Sequence, residues 1–106
     1  MVKRFDVFLI NLDDRPSDDP KNTRPAVVIS PDELNRNVET TIVAPLSATK
    51  ALYPTRIPVN FLNETRYVIL DQVQTVDRDR LVKKIGEIEN FSGKEVLAKL
   101  HEIFAE

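Results

Sequence analysis

The chain has no cysteine and no tryptophan, a single histidine, a single methionine and two glycines among its 106 residues. Without cysteine, disulfides and thiolate chemistry are excluded, and a reducing compartment is acceptable. The lone His101 rules out a multi-histidine metal site, and no zinc-type spacing occurs. Gly86 and Gly93 stand alone, so there is no glycine-rich loop to cradle phosphates. No stretch approaches the roughly 18 consecutive apolar residues of a membrane span. No apolar signal region follows Met1-Val2-Lys3-Arg4, so a cytoplasmic protein without membrane association is expected. A strong excess of basic charge is missing as well. The net charge is −2, with nine basic and nine acidic residues up to Arg66. A nucleic-acid site would therefore be a local cluster and not a global field.

What is present is an ordinary globular balance, 42% hydrophobic and 30% charged residues, of a size that forms one domain over 1–106. Strand-like runs recur along it: 5–12, 25–30, 39–46, an alternating segment at 55–59, 67–70 and 83–88. Residues 5–12 are apolar on both faces, so both are expected to be covered, one of them by a second subunit. Ser30-Pro31-Asp32-Glu33 reads as the start of a short helix, and Asp77 as the cap of a single helical turn. The clearest helix is C-terminal: Ser92 and Glu95 have capping-box spacing, and Val96, Leu97, Leu100, Ile103 and Phe104 make one apolar stripe with His101 at its border. The fold class is thus mainly β, a small barrel or strongly curled antiparallel sheet closed by a C-terminal α-helix.

Arg24-Pro25 opens the second strand-like run, and an Arg-Pro taken alone reads equally as a surface ion pair. Proline fixes its own φ and pushes the preceding residue towards extended geometry, and Ala26-Val27-Val28-Ile29 follows as a buried strand. Arg24 is thereby held at a strand's mouth, after a polar loop, Asp13 to Asn22, rich in aspartate. Loop aspartates such as Asp13, Asp14, Asp18 and Asp19 more often face solvent than bind a metal, and no metal site is assigned. Ser47, just beyond the strand that ends in Pro45-Leu46, reads as a turn-capping hydroxyl.

Several of these pieces together resemble the MazF/PemK (Kid) family of toxins from toxin–antitoxin systems. Asp6-Val7 with Asn11-Leu12, a polar loop and Arg24-Pro25-Ala26-Val27-Val28-Ile29-Ser30 look like that family's opening. Thr41-Ile42-Val43-Ala44-Pro45-Leu46-Ser47 is similar to its second motif. Tyr67-Val68-Ile69-Leu70-Asp71-Gln72-Val73-Gln74-Thr75-Val76-Asp77, with Arg80-Leu81 and Lys84-Ile85-Gly86, is similar to its third. The resemblance implies an SH3-like barrel of the CcdB/MazF type, a homodimer, and a metal-independent, cofactor-free, sequence-selective endoribonuclease. Such an enzyme cuts single-stranded mRNA and is neutralised by a cognate antitoxin through a disordered C-terminal segment. It matches the family's catalytic arginine to Arg24, its catalytic hydroxyl to Ser47 and an accessory acid to Asp71. Thr23, Thr49, Lys50, Gln72 and Gln74, beside these positions, become the expected RNA-binding set. The chain departs from many members in its aspartate-rich first loop, in Thr23 before Arg24, and in Ile69 where some carry an arginine.

The chemistry suits the residues. RNA carries its own nucleophile, the 2′-OH, so a protein need only align it, manage protons and stabilise charge on phosphorus. A planar guanidinium matches phosphate oxygens, and a hydroxyl can donate to a developing oxyanion. The competing readings are a non-enzymatic gyrase poison like CcdB, which acts through an aromatic-Gly-Ile tail not seen in Phe104-Ala105-Glu106, and a plain SH3-like interaction module, whose aromatic-rich surface is not matched by two tyrosines.

Overall fold

A computed structural model describes residues 2–13, 19–37, 39–49 and 53–105. Alternation of apolar residues sets the sheet. Strands β1 (Asp6–Asn11), β2 (Thr23–Val28), β3 (Thr40–Ser47), β4 (Arg56–Phe61), β5 (Glu64–Ile69), β6 (Gln74–Asp77) and β7 (Leu81–Glu87) pair in the order β4-β5-β3-β2-β1-β7, with β6 on β3. Every pairing is antiparallel. The short helix α1 (Asp32–Asn37) joins β2 to β3, and α2 (Asn90–Phe104) follows β7.

The uninterrupted apolar run of β2 is explained by burial on both faces. Val27 joins Val7, Ala44, Phe61, Val68 and Val96 of α2 in one core. Its neighbours Ala26 and Val28 join Ile10, Val43 and Val76 in a second, as the two-residue period of a strand requires. Val7 of β1 lies in the first core and Ile10 in the second, whereas Phe8, on the face of Ile10, is only partly buried.

Strand β3 bends the sheet because it changes partners along its length. Thr40 to Val43 pair with β6, whereas Leu46 and Ser47 pair with Val68 and Tyr67 of β5. Pro45, which has no N–H to give a ladder, sits at the switch. Asn35 of α1 locks the other end. Its side-chain oxygen accepts from Ser30 Oγ at 2.5 Å and Thr41 Oγ1 at 2.7 Å, and its Nδ2 donates to the Ser30 carbonyl at 3.0 Å. All three side chains are buried and satisfied, which ties α1 to β2 and β3.

Two expectations for the helical pieces are corrected. α2 begins at Asn90 with Glu89 in the N-cap position, so Ser92 is not a cap; it is buried inside the first turn. A 3-10 turn, Arg78–Arg80, does follow Asp77, but the Asp77 side chain makes no capping bond. The apolar stripe is graded as well. Val96 is fully buried, Leu97 and Leu100 pack partly, and Phe104 is 74% exposed. His101 is exposed. Both glycines seat an aromatic ring: a Cβ on Gly93 would lie 2.3 Å from Phe5 Cε2, and one on Gly86 2.8 Å from Phe61 Cε1. Among the described residues no helix is long and apolar enough to cross a membrane.

Candidate active site

A cleft of about 640 Å³ opens where β2, β3 and β5 meet, with Arg24, Ser47, Arg66, Gln72 and Gln74 as its polar lining and Ile10, Pro25, Pro45, Leu46 and Ile69 among its apolar walls. Among the described residues the lining carries two cations, Arg24 and Arg66, and Glu64 pairs with Arg66. An anion entering it meets two guanidinium groups.

Arg24 is exposed at the start of β2, and its Nη1 donates to the Thr23 carbonyl at 3.0 Å. The segment that carries it is pinned on both sides. The Leu12 amide donates to the Asn22 carbonyl at 2.8 Å, Asp19 accepts from the Lys21 amide at 2.9 Å, and Arg80 donates twice to the Asn11 carbonyl, at 2.9 and 2.5 Å. The loop therefore returns to a fixed point. Ser47 ends β3, and its Oγ accepts from the Thr49 amide at 3.1 Å. A hydroxyl has one proton and two lone pairs, so this turn bond fixes the oxygen and leaves the proton available to the cleft.

Gln72 and Gln74 line the cleft. Thr49 is exposed and supports Ser47 through its backbone. Thr23 is buried at 7% exposure and lies off the wall, contributing its carbonyl to Arg24. Lys50 lies outside the described residues. Asp71 is not on the cleft wall. The 3-10 turn Leu70–Gln72 turns it the other way, where it accepts from Thr55 Oγ1 at 2.8 Å and faces Arg56 Nε at 3.6 Å. The Thr55 hydrogen bond, helped by the Arg56 charge, holds its carboxyl below the ordinary 3.8. An acid held low is a weaker proton acceptor. Arg66 was not anticipated from the sequence; it lies between polar neighbours with no motif around it. Among the described residues, no group of three or more His, Cys, Asp or Glu stands together to hold a metal.

A β-rich half-barrel closed by a C-terminal helix brings a guanidinium, a hydroxyl and two amides to one cleft. The chain belongs to the PemK-like, MazF-like toxins of type II toxin–antitoxin systems, whose family model matches residues 3–104. It is 30% identical over 102 residues to the Endoribonuclease MazF of Staphylococcus saprophyticus, covering 91% of this chain and 85% of that one. Among solved structures, it is similar to a mycobacterial endoribonuclease in complex with its cognate antitoxin, with a TM-score of 0.81 and 20% identity over 96% of this chain and 93% of that one. It is also similar to MazF (Form-I) of Deinococcus radiodurans, with a TM-score of 0.80 and 20% identity over 99% and 97% of the two chains.

Proposed function

We propose that this toxin is an endoribonuclease that cuts single-stranded RNA at the Arg24–Ser47 cleft by attack of the substrate's own 2′-oxygen. The observation that carries the reading is the convergence of Arg24, Ser47, Gln72 and Gln74 on one cleft. The 2′-oxygen attacks the adjacent phosphorus as its proton passes to water, the P–O5′ bond breaks, and the leaving 5′-oxygen takes a proton from water. The products are a 2′,3′-cyclic phosphate and a 5′-hydroxyl. Arg24, permanently protonated, stabilises the charge that builds on the non-bridging oxygens and supplies donors beside the leaving 5′-oxygen. Ser47 donates a hydrogen bond to a non-bridging oxygen while the Thr49 amide holds the hydroxyl oxygen in place. Gln72 and Gln74 offer amide donors and acceptors to base edges. Thr23 orients Arg24 from behind. Asp71, turned to Thr55 and Arg56, fixes the floor at the start of β4 and is not the base.

The toxin acts in the cytoplasm as a homodimer, for which the partly buried Val2, Phe8 and Leu81 supply an apolar surface, and is restrained by an antitoxin whose disordered C-terminal segment folds on binding. The test is cleavage of labelled RNA in excess EDTA. Products should carry a cyclic phosphate, and a single 2′-deoxy substitution at the cut should abolish the reaction there. Loss of cleavage on chelation, or cutting at the deoxy position, would overturn the mechanism.

A further inference from the structure

We infer that Arg66 is a second phosphate-binding cation of this cleft and holds the RNA backbone beside the scissile linkage. The inference rests on the endoribonuclease reading above. Its basis is the strand order. β3, which carries Ser47, has β2 with Arg24 on one side and β5 with Arg66 on the other. Ser47 is the register partner of Tyr67, so Arg66 is the next residue along β5 from the position opposite the hydroxyl. Both arginines line the same cleft.

Each guanidinium is also tethered to its own strand in the same way. Arg24 Nη1 donates to the carbonyl of the preceding residue at 3.0 Å, and Arg66 Nη1 does so at 3.5 Å. Strands two places apart are separated by about 10 Å. With both heads tied back, the two cations are held apart and meet successive phosphates of one strand. Phosphate contacts of this kind position a nucleic acid without reading its sequence.

Arg66 has a carboxylate on it. Its Nη2 pairs with Glu64 Oε2, where the Glu64 side chain is 63% exposed. An exposed pair is exchanged easily for a better anion, so Glu64 competes with the backbone phosphate for Arg66. Removing the two members of this pair should therefore act in opposite directions, which a purely structural ion pair would not do.

The experiment uses the full chain, a cut site mapped on a long labelled RNA, and an oligonucleotide spanning that site with a 2′-deoxy block for binding. Arg66→Ala should raise Kd and KM about tenfold, leave kcat within about threefold, and shrink the slope of log Kd against log salt by about 0.7, the value of one phosphate contact on a single strand. Arg66→Lys should restore the slope, and Glu64→Gln should tighten binding. An unchanged Kd and slope in Arg66→Ala, or a fall in kcat at unchanged Kd, overturns the inference while cleavage by the unaltered protein keeps the functional reading. If the unaltered protein neither binds nor cuts RNA, both fall.

Discussion

Replacing Ser47 by alanine separates a structural hydroxyl from a catalytic one. The side chain does two things at once: its oxygen accepts from the Thr49 amide at 3.1 Å, and it lines the cleft with Arg24. Losing a net hydrogen bond at a half-exposed turn costs about 1 kcal/mol, about 5 °C of Tm for a domain near this size. Removing one donor to a developing oxyanion costs about a hundredfold in rate, or about 2.7 kcal/mol of transition-state stabilisation. The two effects are measured independently, the first by thermal melting and the second by cleavage per folded molecule well below Tm. Ser47→Ala should show both. Ser47→Thr keeps the proton and both lone pairs, and its β-branch stiffens χ1, so it should melt and cut like the unaltered protein. If alanine and threonine cut at the same rate, the hydroxyl serves only the turn and the assignment of Ser47 to the reaction is wrong.

Arg24→Ala should lose at least about a hundredfold in cleavage with a melting curve close to that of the unaltered protein, because the side chain is exposed; normal cutting would reduce Arg24 to a surface cation. Gly93→Ala places a methyl 2.3 Å from the Phe5 ring and should cost about 1–3 kcal/mol in urea unfolding, whereas a neutral result would mean the ring moves freely. Thr55→Val removes the main cause that holds Asp71 below 3.8, so the Asp71 pKa followed by NMR should rise. Because that carboxyl is held low in the folded state, its stabilising contribution is present above 3.8 and is lost as pH falls through the lowered value; unfolding midpoints of the unaltered protein and Asp71→Asn should converge on the acid side, and a constant gap would refute the linkage.

Most of the sheet was legible because β-branched residues in runs and alternations report burial directly. Val27-Val28 and Ile42-Val43-Ala44 mark strands wherever they occur. Arg24 stood out because it precedes a proline that opens such a run, whereas Ser47 read only as a turn cap until the family resemblance matched it to a hydroxyl of the site. What the residues did not disclose is what only topology decides. Arg66 reaches the cleft because β5 pairs with the last two residues of β3, a long-range register that no local pattern around Glu64-Thr65-Arg66 announces. The resemblance matched Asp71 to an accessory acid, but in a 3-10 turn neighbouring side chains diverge by about 120°, so Gln72 lines the cleft while Asp71 faces Thr55. The helix start was missed because Ser92, a good cap by type, is buried within the first turn beside Gly93, which seats the Phe5 ring, and the helix extends back to Asn90.

The net charge of −2 bears on how such a cleft works. A polyanion approaching an acidic chain gains no long-range steering, and at physiological salt charges farther than about 8 Å apart are largely screened in any case. Affinity must then come from groups that touch the strand: the two arginines and the neutral Ser47, Gln72 and Gln74 that line the cleft. A basic surface would hold any RNA at many points, with most bound molecules out of register with the hydroxyl. A locally cationic cleft on an acidic chain holds RNA weakly elsewhere, so occupancy is concentrated where Arg24 and Ser47 are. On this argument the acidic balance works with the site and not against it. Reversing surface acids remote from the cleft should raise non-specific RNA binding more than it raises the cleavage rate; an equal rise in both would show that the long-range field, and not the cleft, limits the reaction.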